Sequence, residues 1–265
     1  MTAIKSLGID VGSTTVKIVG LDAVGEMIWN MLEQAEPRVE DQVERFLEQA
    51  KEKTSSLNGI PLVSTGYGRK LVKQANRKVT EITCHARGIF HEFPQAGTLI
   101  DIGGQDSKVI GISSAGKVVD FMMNDKCAAG TGRFLENTSS RLGVPLERMG
   151  PEALSVSEEY PISSTCTVFA ESEIISLLAN GTSVAAILRG LHRSLVKRIV
   201  AMIHTVGIVS PLMFSGGVVK NPAITQLLAD ETGEEVVMPK HPQLMGAYGA
   251  ALIALELSKK GAGAK

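Results

Sequence analysis

Apolar and polar positions alternate over "SLGIDVG", "TTVKIVGLD" and "GEMIWNMLEQ", with tight turns at Gly12-Ser13 and Val24-Gly25 between the runs. A period of two residues bounded by such turns predicts an antiparallel β meander. From Arg38 to Lys53 the period changes. Val39, Val43, Phe46 and Leu47 recur at helical spacing in a glutamate-rich stretch, and a strand "PLVSTGYG" follows. The meander pattern then returns at "GTLIDIGGQDSKVIGISSAGKVVDFMM", so the chain reads as duplicated in architecture. Helices are predicted over about 130–142, 168–179 and 183–206, the last with Val184, Ile187, Leu188, Leu191, Leu195, Ile199 and Ile203 along one face. A strand "PLMFSGG", a helix from about Pro222 to Asp230, a strand "EEVVM" and a helix from about Met245 to Leu257 complete the pattern, ahead of a frayed tail "KKGAGAK".

Composition adds limits rather than chemistry. With 265 residues, 44% of them hydrophobic, the chain can bury a substantial core as one large domain or two lobes. A formal net charge of −1 without any lysine- or arginine-rich block argues against nucleic acid or a membrane surface as partner. Asp10 interrupts the only candidate leader, and the long apolar stripe in "LRGLHRSLVKRIVAMIHTVGIV" carries basic residues within it, so a cytoplasmic location is expected. Cys84, Cys127 and Cys166 are too few and too odd in number for a secreted disulfide framework. Reduced thiols or metal ligands are the expected states.

The two meanders place the same chemistry at equivalent points: Asp10, Gly12, Ser13, Thr14 in the first, Asp101, Gly103, Gly104, Gln105 in the second. Glycine lets backbone N–H groups approach phosphate oxygens, hydroxyls add donors, and a strand-end carboxylate can hold a hydrated magnesium ion. Lys17 on the next strand could balance phosphate charge. Either turn alone is equally a plain or bulged hairpin. Their repetition, with a third glycine pair at Gly216-Gly217 where small residues would admit an adenosine, favours a nucleotide.

With "GIDVGSTTVK" as first phosphate loop, "LIDIGGQDSKV" as second, "FSGGVVKN" as adenosine loop and "GAYGAAL" as a late connecting helix, the chain resembles the actin, sugar kinase and heat-shock chaperone ATPase superfamily. That resemblance implies an α/β architecture of two ribonuclease-H-like lobes closing over Mg-ATP: lobe I from 1–95 with 244–260 packing back, lobe II from 96–243. Asp10 and Asp101 are the expected holders of Mg2+ or its waters. Gly12, Ser13, Thr14, Thr15 and Lys17 are the expected phosphate contacts. Gly103, Gly104 and Gln105 would lie on the γ-phosphate side, with Gln105 or Asp101 orienting water, and Gly216, Gly217, Asn221 and Gln243 at the nucleoside end. Glu136 reads either as a ribose contact or as a solvated helix charge.

Cys127, ahead of the turn Gly130-Thr131-Gly132, and Cys166 in "PISSTCTVFAESEII" each precede a predicted helix, whose amino terminus favours thiolate and bound anion. Cys84 in "TEITCHARGIF" reads as core packing. Two thiolates fall short of a four-cysteine site, but a symmetric dimer could hold one 4Fe-4S cluster on its axis. "NDKCAAGTGRFLE" with "ISSTCTVFAESEIISLLANG" resembles the activator ATPases of 2-hydroxyacyl-CoA dehydratases, related to benzoyl-CoA reductase ATPase subunits. The resemblance implies a homodimer with a 4Fe-4S cluster on Cys127 and Cys166 of both chains. Ferredoxin or flavodoxin would supply the electron, and ATP would drive its injection into an iron-sulfur dehydratase component. ATP binding is expected to rotate the lobes as rigid bodies, and a bridging, solvent-near cluster predicts oxygen sensitivity and hence an anaerobic host. A reductase for another iron-sulfur partner, such as a double-cubane protein, a small-molecule kinase of the same fold, and a filament or scaffold protein remain the alternatives.

Overall fold

The computed structural model describes residues 3–54, 56–162 and 166–262, with side chains as far as 259. They form two compact units, Met1–Gln95 with Ser114–Val118 and Gln243–Lys265, and Ala96–Ser113 with Val119–Pro242.

In the first unit β1 (Ser6–Val11), β2 (Thr15–Leu21) and β3 (Met27–Gln34) make the expected antiparallel meander. Two further strands, β4 (Leu62–Thr65) and β5 (Arg77–Lys78), complete a five-stranded sheet of order β3-β2-β1-β4-β5, with β4 parallel to β1. The alternation is clean only at the solvent edge: β3 shows half-buried and exposed residues in strict succession, whereas all six residues of central β1 are buried. Helix α1 (Val39–Thr54) lays Val43, Phe46, Leu47 and Ala50 on this sheet. Opposite in chain order stand α2 (Glu81–Glu92) and the last helix, Met245–Ala262. Helix α2 was not anticipated from the apolar pattern. The last helix carries on through Lys259 to Ala262, so most of the expected frayed tail is helical; residues 263–265 lie outside the described residues.

The second unit repeats the plan. Strands β6 (Gly97–Ile102), β7 (Ser107–Ile112), β8 (Val118–Asn124), β9 (Leu212–Ser215) and β10 (Val236–Val237) line up as β10-β9-β6-β7-β8, the same arrangement of meander plus two later strands. Its helices are α3 (Gly132–Leu142), α4 (Leu146–Leu154), α5 (Thr167–Ala179), α6 (Val184–Val206) and α7 (Pro222–Thr232); the last helix of the first unit is thus α8. Ile187, Leu188, Leu191, Leu195, Ile199 and Ile203 of α6 are fully buried at the centre of the core, as the helical stripe predicts. Ser183 caps that helix by accepting from Ala186 N at 3.2 Å. Helix α4 was also unanticipated, because its Gly150-Pro151 reads as a breaker. No described helix is long and apolar enough to cross a membrane.

Candidate functional site

Both central strands end in the same device. Asp10 on β1 faces Lys17 on β2 in direct cross-strand register, and Asp101 on β6 faces Lys108 on β7 in the same way. Directly opposed residues share a face of the sheet, so each lysine reaches back to its carboxylate: Lys17 Nζ lies 3.4 Å from Asp10 Oδ2, Lys108 Nζ 3.4 Å from Asp101 Oδ2. The connecting hairpins are of equal length, bounded by the pairs Val11↔Val16 and Ile102↔Ser107.

The parallel neighbours repeat as well. Thr65 on β4 lies beside Asp10, and Ser215 on β9 beside Asp101. Each is followed by a glycine in the left-handed region, Gly66 at φ +86° and Gly216 at φ +94°. A Cβ at Gly66 would overlap Asp10 Oδ1, and one at Gly216 would overlap the Ile102 carbonyl, so both turns require glycine for conformation and for space. Ser215 Oγ donates to Asp101 Oδ1 at 2.7 Å.

In the first hairpin Gly12 N donates to Thr15 O at 3.1 Å, Ser13 is exposed, and Thr14 Oγ1 is a buried hydroxyl that makes no hydrogen bond within the described protein. An orphaned donor of that kind suits an oxygen-rich ligand. In the second, Gly103 and Gly104 are half-buried and Gln105 is exposed. Their carbonyls are already engaged: Gly103 O accepts from Gly132 N at 2.9 Å and Gly104 O from Arg133 N at 2.7 Å, the first N–H groups of α3. Gly130, Thr131 and Gly132 are buried in this joint, and Thr131 Oγ1 donates to Ala128 O at 2.8 Å. A Cβ at Gly132 would come within 3.0 Å of Gly103 O and 3.3 Å of Val218 Cγ2, so the second hairpin, the Gly216-Gly217 loop and the start of α3 converge on one residue.

Cys127 precedes that turn. The Asn124 side chain clamps its backbone from both sides, Nδ2 donating to Cys127 O at 2.8 Å and Oδ1 accepting from Cys127 N at 3.0 Å. Cys127 is half-buried at the cap of a 3-10 turn leading into α3, and Cys166 is exposed at the cap of α5. Cys84 is sealed in the α2 interior, where burial pushes its thiol up to about 12, so it stays protonated and inert.

Other anticipated residues have partners inside the protein. Asn221 caps α7, Oδ1 accepting from Ala223 N at 3.1 Å, while its Nδ2 donates to His192 Nε2 at 2.8 Å. Its amide is therefore committed to holding the Gly216-Gly217 loop against α6 and α7. Glu136 pairs with Arg133 at 2.8 Å one turn earlier, and Gln243 is half-buried just before α8.

The sequence matches the BadF/BadG/BcrA/BcrD ATPase family over residues 7–254. The chain belongs to that family. An activator of lactoyl-CoA dehydratase from Anaerotignum propionicum is 41% identical over 263 residues, covering 96% of this chain and 99% of that one. Two solved structures superpose with a TM-score of 0.90. One is the activator of the 2-hydroxyisocaproyl-CoA dehydratase from Clostridium difficile with bound ADPNP, 37% identical over 98% of this chain and 97% of its own. The other is the Acidaminococcus fermentans (R)-2-hydroxyglutaryl-CoA dehydratase component A, 38% identical over 97% and 100%. The fold is that of actin-like ATPases, and the chain is an ATPase of this family.

Among the described residues no three His, Cys, Asp or Glu side chains gather into a ligand group. What the chain offers is a pair of thiols at helix starts, and Cys166 is followed by Val168 and Phe169, each 68% exposed on α5. Two thiols alone fall short of a four-thiolate set, so a cluster held by Cys127 and Cys166 would need a second copy to complete it. The Asp10 carboxylate could hold a magnesium ion through water, since its Oδ1 is not used by Lys17.

Two site features escaped the sequence reading. Lys108 stands seven residues after its aspartate, as Lys17 does, and Thr65-Gly66 repeats Ser215-Gly216; in both cases comparison of the two repeats would have found them.

The His192 contact carries a pH dependence. Burial lowers its pKa to about 4, and Nδ1–H donating to Leu188 O at 2.6 Å leaves Nε2 as acceptor for Asn221, which requires the neutral ring. Because the folded value lies below the ordinary 6.5, this stabilisation is complete above pH 6.5 and is lost as pH falls towards 4. Denaturant melts should show the stability difference between wild type and His192→Gln shrinking by about 3 kcal/mol over that interval. A constant difference would exclude the effect.

Proposed function

We infer that this ATPase spends ATP to drive single electrons into an iron-sulfur dehydratase of the 2-hydroxyacyl-CoA class; its relatives are named as activators of lactoyl-CoA, (R)-2-hydroxyglutaryl-CoA and 2-hydroxyisocaproyl-CoA dehydratases. The observation that carries the reading is the joint between the second hairpin and α3. Gly103 O and Gly104 O accept from Gly132 N and Arg133 N, so a loop suited to the γ-phosphate and the turn bearing Cys127 form one hydrogen-bonded piece. A kinase would have no use for a thiol wired to its phosphate loop.

In this reading Lys17, Ser13, Thr14 and Thr15 neutralise and bind phosphate oxygens, and Asp10 and Asp101 orient the waters of Mg2+. Gln105, exposed at the tip of the second hairpin, orients the attacking water. Gly216 and Gly217 accept the nucleoside, with Asn221 and His192 bracing the loop from behind. Cys127 and Cys166 of two copies would hold a 4Fe-4S cluster, which would supply one-electron chemistry. When γ-phosphate is gained or lost, the Gly103-Gly104 peptides would reorient, and the α3 N–H groups and the turn bearing Cys127 would follow. Donors near sulfur and exposure to water are the groups that tune such a centre. The exposed apolar start of α5 buries against the second copy, and ferredoxin or flavodoxin is the expected electron source.

Anaerobic purification with iron, sulfide and mass analysis tests this. The expected result is about four irons per two chains, all lost in Cys127→Ser and in Cys166→Ser while ATP still binds. Iron retained in both variants would remove the assignment.

A further inference from the structure

The two strand-end devices are alike in register and unlike in what surrounds the lysine. In the first, Asp10 is the one carboxylate paired with Lys17 among the described residues, and the Lys17 side chain keeps 15% of its surface exposed. In the second, Lys108 is 3% exposed and bridges two carboxylates, Asp101 Oδ2 at 3.4 Å and Asp106 Oδ2 at 2.5 Å. Asp106 in turn lies under the hairpin. A Cβ at Gly103 would come 2.5 Å from Asp106 Oδ1, and Gly103 N donates to Asp106 O at 2.9 Å. The remaining oxygen of Asp101 is held by Ser215 at 2.7 Å.

We propose that Lys108 is a positioning residue for ATP hydrolysis. Through Asp106 it fixes the curvature of the Gly103–Asp106 hairpin, and through its second contact it fixes the direction of the Asp101 carboxylate; it does not bind phosphate. A lysine buried between two carboxylates could reach a phosphate only by releasing both, leaving the buried Asp101 carboxylate without its cation. Lys17, with one partner and a partly open side chain, is the phosphate-binding lysine. The chain duplicated a strand-end Asp-Lys pair and then divided its work: one copy meets the ligand, the other holds the loop that meets it. This rests on the nucleotide reading above.

The experiment separates affinity from turnover in the purified full-length protein, using a fluorescent ATP analogue with magnesium for Kd and phosphate release for kcat. Lys108→Met and Asp106→Asn should each leave Kd within about threefold of wild type and lower kcat by about 10- to 100-fold, the size expected when reacting groups are misplaced rather than removed. Lys17→Met should do the reverse first, weakening Kd by about tenfold or more. Asp106→Asn keeps Lys108 paired with Asp101, so it retains the fold should Lys108→Met fail to yield soluble protein. Two results overturn the proposal: wild-type kcat in Asp106→Asn, or a Kd loss in Lys108→Met matching that of Lys17→Met, which would make Lys108 a phosphate ligand. A wild-type chain that neither binds nor hydrolyses Mg-ATP would instead remove the nucleotide reading itself, and the proposal with it.

Discussion

Asp101→Asn is expected to lower ATP turnover at saturating Mg-ATP by roughly 10²- to 10³-fold, about 3–4 kcal/mol of transition-state stabilisation, which is the usual cost of deleting one preorganised electrostatic group. The fold should survive. Lys108 keeps Asp106 at 2.5 Å, so the substitution leaves a neutral buried pair rather than an orphaned cation. What changes is local and electrical. Ser215 Oγ would still donate to the amide oxygen, turning the new NH2 group towards the Lys108 ammonium, donor against donor, and the negative charge proposed to attract magnesium is gone. Phosphate-release kinetics beside a thermal melt checks this. Turnover within threefold of wild type at unchanged stability would take Asp101 out of the chemistry.

Much of this device was readable from residue order. A strand-end aspartate followed by glycine and then by a second strand is a pattern of period and turn chemistry, and both are local. Because the two meanders have hairpins of equal length, whatever holds for Lys17 holds in register for Lys108, so the second lysine is legible in sequence only when the two repeats are aligned. Helices α2 and α4 were obscure for a different reason. In "EITCHARGIFHE" a buried histidine and Gly88 interrupt the apolar stripe, and in "LERMGPEAL" the Gly150-Pro151 pair mimics a break. Those residues answer to neighbours distant in sequence: a Cβ at Gly88 would overlap the Met245 carbonyl, and one at Gly150 would lie 2.5 Å from Asn221 Oδ1. Close approach between elements leaves no periodic trace. The commitment of Asn221 to His192 was equally hidden, since a cap and a ligand contact use the same residue types.

Gly249→Val should be the most damaging single substitution, costing at least about 4 kcal/mol and leaving little soluble, cooperatively melting protein. Gly249 lies on α8 where it crosses α2, and its Cβ would overlap the Cys84 carbonyl and come 2.9 Å from Gly88 N. Both obstacles are backbone, so no rotamer change relieves them. Nor can α8 slide away. On its other side Gly8 of β1 meets the Ala247 carbonyl and Ala251 N so closely that a Cβ there would overlap both, which wedges α8 between the central strand and α2. Separating α8 from α2 would also open the buried cluster that holds Cys84, Ala250 and Ala254. Soluble yield and a urea melt read the outcome, and a variant within 1 kcal/mol of wild type would mean that these helices part more easily than their backbone contacts allow. Since Gly246, one residue before the first contact of that wedge at Ala247, is a residue whose Cβ would come 2.9 Å from Asp10 Oδ2, the same joint that stabilises the first unit also sets how near α8 stands to its strand-end carboxylate.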